Sequence, residues 1–451
     1  MSSRSSRRKR KSAAMERINV DAAGIDVGAS SHFVAVPEDR DSQPVREFLA
    51  YTTDLYRLAD WLAACGIRTV AMESTGVYWI PLFQILEERG FEVCLVDARR
   101  VRNVTGRKTD VSDCQWLQQL HTYGLLAAAF RPDDETCVLR AYMRQRDSLV
   151  IQAGQHIQHM QKALELMNVK LTEVLSDVTG TTGMAIIEDI LAGKRDPDEL
   201  AKHRHPRCKH DQVTIARALT GHYRTEHIFA LRHAVALYRQ CQTLIGECDA
   251  ELERFLEQHG PTDDDSTPPP SERANRPAKN GLGFDAHGHL YRLAGVDLTQ
   301  IPGLSTASVL TLLAETGLDM SRWRSSKAFA SWLGLSPNNR VSGGKVLASR
   351  TKACVNRAAR VFRMAAYGLH HAKSALGAYY RRMRMRLGAP KAITATAHKL
   401  ARLFYSMLRT KKSFADIGQD AYDKAYQARR IKGLQRTARQ LGFQLVPCAP
   451  D

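Results

Sequence analysis

The sequence predicts a mixed α/β domain near the N-terminus, followed by a helical or coiled-coil middle region and a mostly α-helical C-terminal domain. Between residues 22 and 97, short apolar runs alternate with segments of helical spacing. Through residues 134–258, apolar residues recur at three- and four-residue steps, which is the pattern of long paired helices. A segment rich in Pro, Asp and Ser, residues 261–283, is typical of a linker.

These patterns divide the chain into six expected regions. They are a disordered basic arm (1–20), the α/β domain (21–130), a helical or coiled-coil region (131–260), a Pro-rich linker (261–285), a C-terminal domain with basic helices (286–415) and a C-terminal extension (416–451).

The α/β domain is expected to follow the order βββαβαβ. The predicted strands are residues 22–28, 32–37, 45–51, 68–74 and 91–97, and the predicted helices are residues 53–66 and 76–90. Thr53 is a plausible N-cap for the first helix and Gly66 a plausible stop. We expect the first three strands to form an antiparallel meander. This order is that of the ribonuclease-H-like fold, not of a doubly wound parallel sheet.

The charge of the chain indicates a nucleic-acid partner. Lys and Arg number 65 against 47 Asp and Glu, which gives a formal net charge of +18. The stretch from Ser321 to Ala415 contains many cations and no Asp or Glu, and Arg4 to Lys11 form a second basic block. A helical region without anions would repel itself, and phosphate is its natural counter-charge. A merely solvated basic surface explains this uneven distribution less well.

Other features predict a cytoplasmic, nucleoid-associated bacterial protein. Nine cysteines are scattered without a CxxC pair, which is typical of reduced thiols in the cytosol. No apolar run approaches the roughly 20 residues of a membrane helix. The basic N-terminal block has no apolar segment behind it, so we do not expect a secretory signal.

Four carboxylates are candidates for a metal site. Asp26 ends the first predicted strand and Glu73 ends the fourth, and these strands are neighbours in the expected fold. Asp110 and Asp113 share one face at the start of a helix predicted over residues 109–124. Alone, that pair is better explained as acids that stabilise a helix N-terminus. Four converging carboxylates instead predict a site for two Mg²⁺ ions, with Arg107 and Lys108 holding the phosphate backbone.

Three sequence blocks resemble a known family. "GIDVGAS", "AMESTGVYW" and "GRKTDVSDCQWL" are similar to the blocks of the DEDD insertion-sequence transposases, which are relatives of the Piv-type invertases and include bridge-RNA-guided recombinases. The likeness resumes in residues 301–317 and 329–345 and continues through the basic helices to about residue 412. It therefore covers both ends of the chain.

The resemblance implies a two-part active site. Asp26, Glu73, Asp110 and Asp113 would be the metal-binding acids of a RuvC-like domain, and residues 286–415 would form a transposase domain whose nucleophile is Ser342. The implied reaction joins donor and target DNA through a covalent phosphoserine. The acids and the serine would come from different protomers of a tetramer, a dimer of dimers. A non-coding bridge RNA would select both DNAs by base pairing.

Ser342 lies in "VSGGK", where composition alone favours a plain hairpin turn over a catalytic role. A Gly-rich turn also exposes a hydroxyl and lets backbone N–H groups approach a phosphate. Nearby cations would stabilise developing charge. The residues expected to contact nucleic acid in this domain are Arg340, Lys345, Arg350, Lys352, Arg381 and Arg382.

Two other functions are open from the sequence. A metal-dependent junction resolvase or nuclease would use the four acids and water and would not need Ser342. A protein that binds nucleic acid without catalysis would need only the basic surface.

Overall fold

The structure is a computed structural model and describes residues 16–97, 110–259, 280–352 and 356–446. The chain forms two compact units, Met1–Arg131 and Pro132–Asp451. The basic block Arg4 to Lys11 lies outside the described residues, as does most of the Pro-rich linker.

The first unit is built on a five-stranded sheet. Its strands are β1 (Ala22–Val27), β2 (Ser31–Ala35), β3 (Val45–Leu49), β4 (Thr69–Glu73) and β5 (Glu92–Val96), in the spatial order β3-β2-β1-β4-β5. The pairs β1–β2 and β2–β3 are antiparallel, whereas β1–β4 and β4–β5 are parallel. The predicted order βββαβαβ and the antiparallel meander are confirmed, and the fold is ribonuclease-H-like.

Two helices of this unit begin at positions that the sequence predicted only approximately. Helix α1 spans Thr52–Ala64 and has Tyr51, not Thr53, as its N-cap. The prediction of Thr53 was wrong because the N–H groups of Asp54 and Leu55 already donate to the Tyr51 carbonyl, which closes the first turn earlier. Helix α2 spans Trp79–Glu88, so Pro81 lies in its first turn, where no N–H is required of it.

Alternation along the strands gives the sheet two different faces. One face packs on α1 and α2 and forms the apolar core of the unit, with Ala23, Ile25 and Val27 from β1 and Val70 and Met72 from β4. Residues between these positions point to the opposite face. That second face therefore carries Gly24 and Asp26 on β1, and Ala71 and Glu73 on β4.

Helix α3, Asp110–Thr122, packs on this second face. A Cβ atom at Gly24 would lie 2.3 Å from the Cys114 carbonyl oxygen and 2.3 Å from the Gln118 nitrogen, so only glycine permits this approach. Nε2 of Gln118 donates to the Ala22 carbonyl at 3.4 Å. Near the other end of the helix, His121 Nε2 lies 2.8 Å from Thr69 Oγ1. These contacts fix the position of α3 across β1 and β4.

The second unit begins with a long antiparallel pair of helices. They are α4 (Asp134–Leu166) and α9 (Thr225–His259), joined through the short helices α5 (Leu171–Val174), α6 (Thr181–Leu191), α7 (Pro197–Ala201) and α8 (Gln212–Leu219). The short helices cover an apolar core that includes Met160, Leu164, Ile187, Ile215 and Leu231. The long paired helices expected from the apolar spacing are therefore present.

The rest of the second unit is helical apart from one hairpin. Its helices are α10 (Ala286–Ala294), α11 (Thr306–Thr316), α12 (Ser326–Trp332), α13 (Arg357–Gly368), α14 (Ala375–Leu387), α15 (Ala389–Thr410) and α16 (Gly418–Gln440), and the hairpin pairs β6 (Arg340–Ser342) with β7 (Lys345–Ala348). Phe404 of α15 contacts Phe329 and Phe362, with ring centroids 6.3 Å and 5.6 Å apart. None of the helices in the described ranges combines the length and apolarity needed to cross a membrane.

The approach of α3 to Gly24 predicts opposite effects for two Gly→Ala substitutions. We expect Gly24→Ala to destabilise the protein by roughly 1–3 kcal/mol, because the new methyl group meets backbone atoms of α3 that must move. Gly154→Ala in α4 is the matched control, since no atom lies within 4 Å of its added Cβ. It should stabilise the protein by up to about 1 kcal/mol. Urea unfolding monitored by circular dichroism measures both, and equal effects would contradict the packing described.

Candidate active site

Two of the predicted acids lie at the carboxyl ends of neighbouring parallel strands, Glu73 as the last residue of β4 and Asp26 as the last but one of β1. The last registered pair between β1 and β4 is Ile25 with Met72, and Asp26 and Glu73 are the next residues of their strands. Both side chains are partly buried, and both belong to the face that carries α3. The two carboxylates therefore lie at the same edge and on the same face of the sheet.

The other two acids lie in the first turn of α3. Asp113 is partly buried and Asp110 is exposed. The carbonyl of the next residue, Cys114, is the group that approaches Gly24 on β1. Since Gly24 and Asp26 share a face two residues apart, this contact brings the start of α3 beside Asp26.

The Cys114 thiol lies close enough to Asp26 and Asp113 for both negative charges to affect its pKa. The pKa of the Cys114 thiol is raised to about 12, chiefly by burial and in smaller part by the negative charges of Asp26 and Asp113. The thiol is fully buried and donates to the Val111 carbonyl at 3.1 Å. One acid from the sheet and one from the helix therefore act on the same buried sulfur atom.

The four acids lie in the same region of the first unit, but their carboxylate oxygens do not meet around a single point. Among the described residues, no three of them present ligand oxygens within 4.8 Å of one another. The donor set nevertheless suits a hard divalent cation, because it consists of carboxylates that water can reach. A cation would also offset the negative charge that Asp26 and Asp113 place around Cys114.

A different cluster does meet that distance criterion in the part of the chain that the structure describes. It comprises Glu253, Glu257 and His289. Nη2 of Arg292 donates to Nδ1 of His289 at 3.1 Å, so that ring nitrogen already has a hydrogen-bond partner.

Sequence reasoning missed three residues that position the acids. Thr75 Oγ1 donates to Oε2 of Glu73 at 3.4 Å, and Gly24 and Cys114 form the contact that seats α3. The Gly in "AAGIDVG", two residues before Asp26, was the available signal for a close backbone approach. Arg107 and Lys108, predicted to contact phosphate, lie outside the described residues.

Ser342 occupies the tip of the β6–β7 hairpin. It pairs directly with Lys345 across a two-residue loop of Gly343 and Gly344, whose φ angles are +55° and +76°. Positive φ at both positions is the requirement of a tight hairpin turn, and glycine meets it without strain. Arg340 shares a face with Ser342 by strand alternation, and Lys345 does so as its cross-strand partner. An exposed hydroxyl is thus flanked by two exposed cations.

The remaining predicted nucleic-acid contacts differ in how accessible they are. Arg350 and Lys352 are exposed just beyond the hairpin. Nη1 of Arg381 donates to the carbonyls of His370 and Ala372, at 3.0 Å and 2.9 Å, and its Nη2 donates to Gln419. These bonds join the ends of helices. The Arg382 guanidinium lies 4.0 Å from the Tyr426 ring centroid. Phosphate binding by Arg381 and Arg382 stays a prediction. In the structure both side chains contact other groups of the protein.

The fold and the acids define a class: a ribonuclease-H-like enzyme with carboxylates at the ends of neighbouring strands. Residues 23–169 match the model of the IS110-type DEDD transposases, and residues 296–381 match that of the IS116/IS110/IS902 transposase family. Together the two matches cover about half of the chain. Among curated proteins, none matches it.

The chain belongs to the IS110-type DEDD transposases. Such enzymes cut and rejoin DNA, so DNA is the substrate, and divalent metal ions are the usual partners of their acids.

Proposed function

We propose that this protein moves an insertion sequence by cutting and rejoining DNA with a divided active site, made of Mg²⁺-binding acids and a nucleophilic serine. The observation that carries the proposal is the placement of Asp26 and Glu73 at adjacent strand ends, on the face that holds Asp113. The acids belong to the proposed RuvC-like domain (21–130) and Ser342 to the proposed transposase domain (286–415).

Asp26, Glu73, Asp110 and Asp113 would hold two Mg²⁺ ions, which prefer carboxylate oxygens and keep several waters. Two bound ions supply activation of the attacking oxygen and stabilisation of the leaving oxygen at a phosphodiester. The partial exposure of these acids leaves room for water and a phosphate oxygen in the coordination shell.

Ser342 would attack the scissile phosphorus. The Oγ–P bond forms as the bond to the leaving oxygen breaks, the leaving oxygen takes up a proton, and the serine loses its own. A hydroxyl of the partner strand then attacks the phosphoserine, which restores Ser342 and rejoins the DNA. Arg340 and Lys345 lie on the same face as the hydroxyl and would stabilise charge on the phosphoryl oxygens.

A bridge RNA and a tetramer complete the proposal. The stretch from Ser321 to Ala415 contains many cations and no Asp or Glu, and Arg350 and Lys352 are exposed there, which supports binding of RNA phosphates as well as DNA phosphates. Acids and serine would come from different protomers of a dimer of dimers, which would delay cutting until donor and target DNA are both bound.

A metal-dependent junction resolvase or nuclease is the second candidate. It is favoured by the position of Asp26 and Glu73 on neighbouring parallel strands, since such an enzyme would need only the four acids and water. A binding-only role is the third candidate and needs neither the acids nor the serine.

The acid cluster predicts that Asp113→Asn abolishes both cutting and rejoining. Even residues that only orient metal ligands typically change activity 10–100-fold, so losing a ligand should lower the rate by at least about a hundredfold. Asp420→Asn is the matched control, because Asp420 is also an acid in a first helical turn. Plasmid recombination with purified protein measures the rates. Full activity of Asp113→Asn would support the binding-only role.

The hairpin predicts a different result for Ser342→Ala. Joined product should fall by at least about a thousandfold, since the covalent nucleophile is gone while the fold is unaffected. Ser331→Ala, at an exposed serine of α12, is the control and should behave as wild type. Gel analysis of labelled DNA separates joined from nicked strands. If Ser342→Ala still joins DNA, the phosphoserine route is wrong; if it only nicks, the nuclease candidate gains support.

RNA guidance predicts that a discrete RNA accompanies the protein. Purification from the native host, followed by sequencing of the bound RNA, should yield one enriched structured species. Its recovery should fall steeply as the salt concentration of the wash rises, because each phosphate contact releases counterions. An unenriched mixture of cellular RNA would contradict guidance and leave the transposase proposal standing.

A further inference from the structure

A cavity of about 950 Å³ lies between the base of the β6–β7 hairpin and helices α14 and α15. Pro337, Arg350 and Thr351 line it from the hairpin side, and Tyr379 and Thr394 line it from the helices. Backbone bonds hold the hairpin side in place, since the Asn338 N–H donates to the Arg350 carbonyl at 3.0 Å. Its size is at the upper end of the range of about 300–1,000 Å³ typical of ligand pockets.

The chemistry of the lining suits a nucleotide. Apolar groups of Leu335, Leu387 and Pro390 combine with threonine hydroxyls and with the cations Arg350 and Lys391, and the lining contains no acid. His398 also lines the cavity. Burial, helped by the charge of Arg402, lowers the pKa of His398, so its ring is neutral at neutral pH.

The Tyr379 wall is backed by further positive charge. Nζ of Lys399 lies 4.4 Å from the Tyr379 ring centroid, and the Arg382 guanidinium lies 5.6 Å from it. Nη1 of Arg382 and the hydroxyl of Tyr422 are buried and have no hydrogen-bond partner among the residues that the structure describes. Burial, followed by repulsion from Arg382, lowers the pKa of Lys399. The charges that lower the pKa of Lys399 are those of Arg382, Arg429 and Arg402, all cations, so this wall favours negative charge nearby.

We propose that this cavity binds one unpaired nucleotide of a strand that reaches the hairpin. Its base would pack against Tyr379 and the apolar wall, and its phosphate would meet Arg350 and Lys391. A duplex presents bases only at groove edges, whereas an unpaired base offers the face that an aromatic ring can stack on.

The cavity lies only a few residues along the chain from the hairpin tip that carries Ser342. Lys345 pairs with Ser342 at the tip, and Ser349, four residues further on, lines the cavity. Since an extended residue spans at most about 3.4 Å and the register of the hairpin shifts between Val346 and Ala348, the two points are at most about 14 Å apart. Only the relation between the bound nucleotide and a scissile phosphate at Ser342 rests on the proposed function. Binding in the cavity itself does not require catalysis.

The test fills the cavity and measures binding by the full-length protein. Thr394→Phe places a ring in the cavity, and Thr410→Phe is its control: both threonines lie on α15 and donate to the carbonyl four residues earlier, but Thr410 is outside the cavity. Oligonucleotides carrying one 2-aminopurine report base stacking by fluorescence. We expect Thr394→Phe to weaken single-strand binding about tenfold, with duplex binding unchanged within about twofold.

The same binding assay with matched DNA and RNA oligonucleotides shows which kind of strand supplies the nucleotide. A loss confined to DNA assigns the nucleotide to substrate, and a loss confined to RNA assigns it to a guide; either result, or both together, supports the cavity. Unchanged single-strand binding, or an equal loss with duplex, overturns it. Ser342→Ala separates the two proposals, because it should bind single strands as wild type and yet fail to join DNA. If Ser342→Ala joins DNA while Thr394→Phe loses binding, only the proposed function fails.

Discussion

The approach of α3 to Gly24 is the constraint on which the candidate metal site depends. A helix backbone can lie against a strand at van der Waals distance only where the strand lacks a Cβ, and Gly24 provides that gap two residues before Asp26. The Cys114 carbonyl fills it. Asp113 therefore reaches the region of Asp26 because of this backbone contact. The same contact holds the buried Cys114 thiol beside two carboxylates. Burial, and to a smaller extent these two charges, raise the pKa of the thiol.

The second unit depends on a comparable constraint, made by charged groups. Arg146 and Asp249 are both buried and join α4 to α9 through two hydrogen bonds of 2.5 Å and 3.2 Å. Arg146 also donates to the Gly281 carbonyl, and Asp249 accepts from the Gly283 N–H at 3.0 Å. A buried ion pair gains little net stability, but removing one partner typically costs 3–5 kcal/mol. The pair therefore sets where the chain rejoins the helix pair after the linker.

Much of the first unit could be predicted from sequence because local patterns determine it. Strand alternation and helix starts identified the order of elements and placed Asp26 and Glu73 at strand ends. The prediction failed at Thr53, because local hydrogen bonds from the Asp54 and Leu55 N–H groups to the Tyr51 carbonyl start the helix earlier. Arg381 shows a related limit: its charge is visible in "RRMRMR", but its bonds to His370 and Ala372 depend on how helix ends meet. For Ser342, sequence predicted a Gly-rich turn, and the structure adds Lys345 as its direct partner.

Positive charge in the stretch from Ser321 to Ala415 serves two purposes that composition alone does not separate. Some cations are used inside the fold, where rings or carbonyls replace water; Arg382 against Tyr426 and Arg381 against two carbonyls are examples. Others, such as Arg340, Lys345 and Arg350, stay exposed around the hairpin. Since buried cations without anions repel one another, the fold tolerates them only through such contacts or through a bound anion. The lowered pKa of Lys399 indicates that this compensation is incomplete beside Tyr379. A phosphate near that wall would supply negative charge beside Lys399, which connects the basic composition of this stretch to a particular place in the fold.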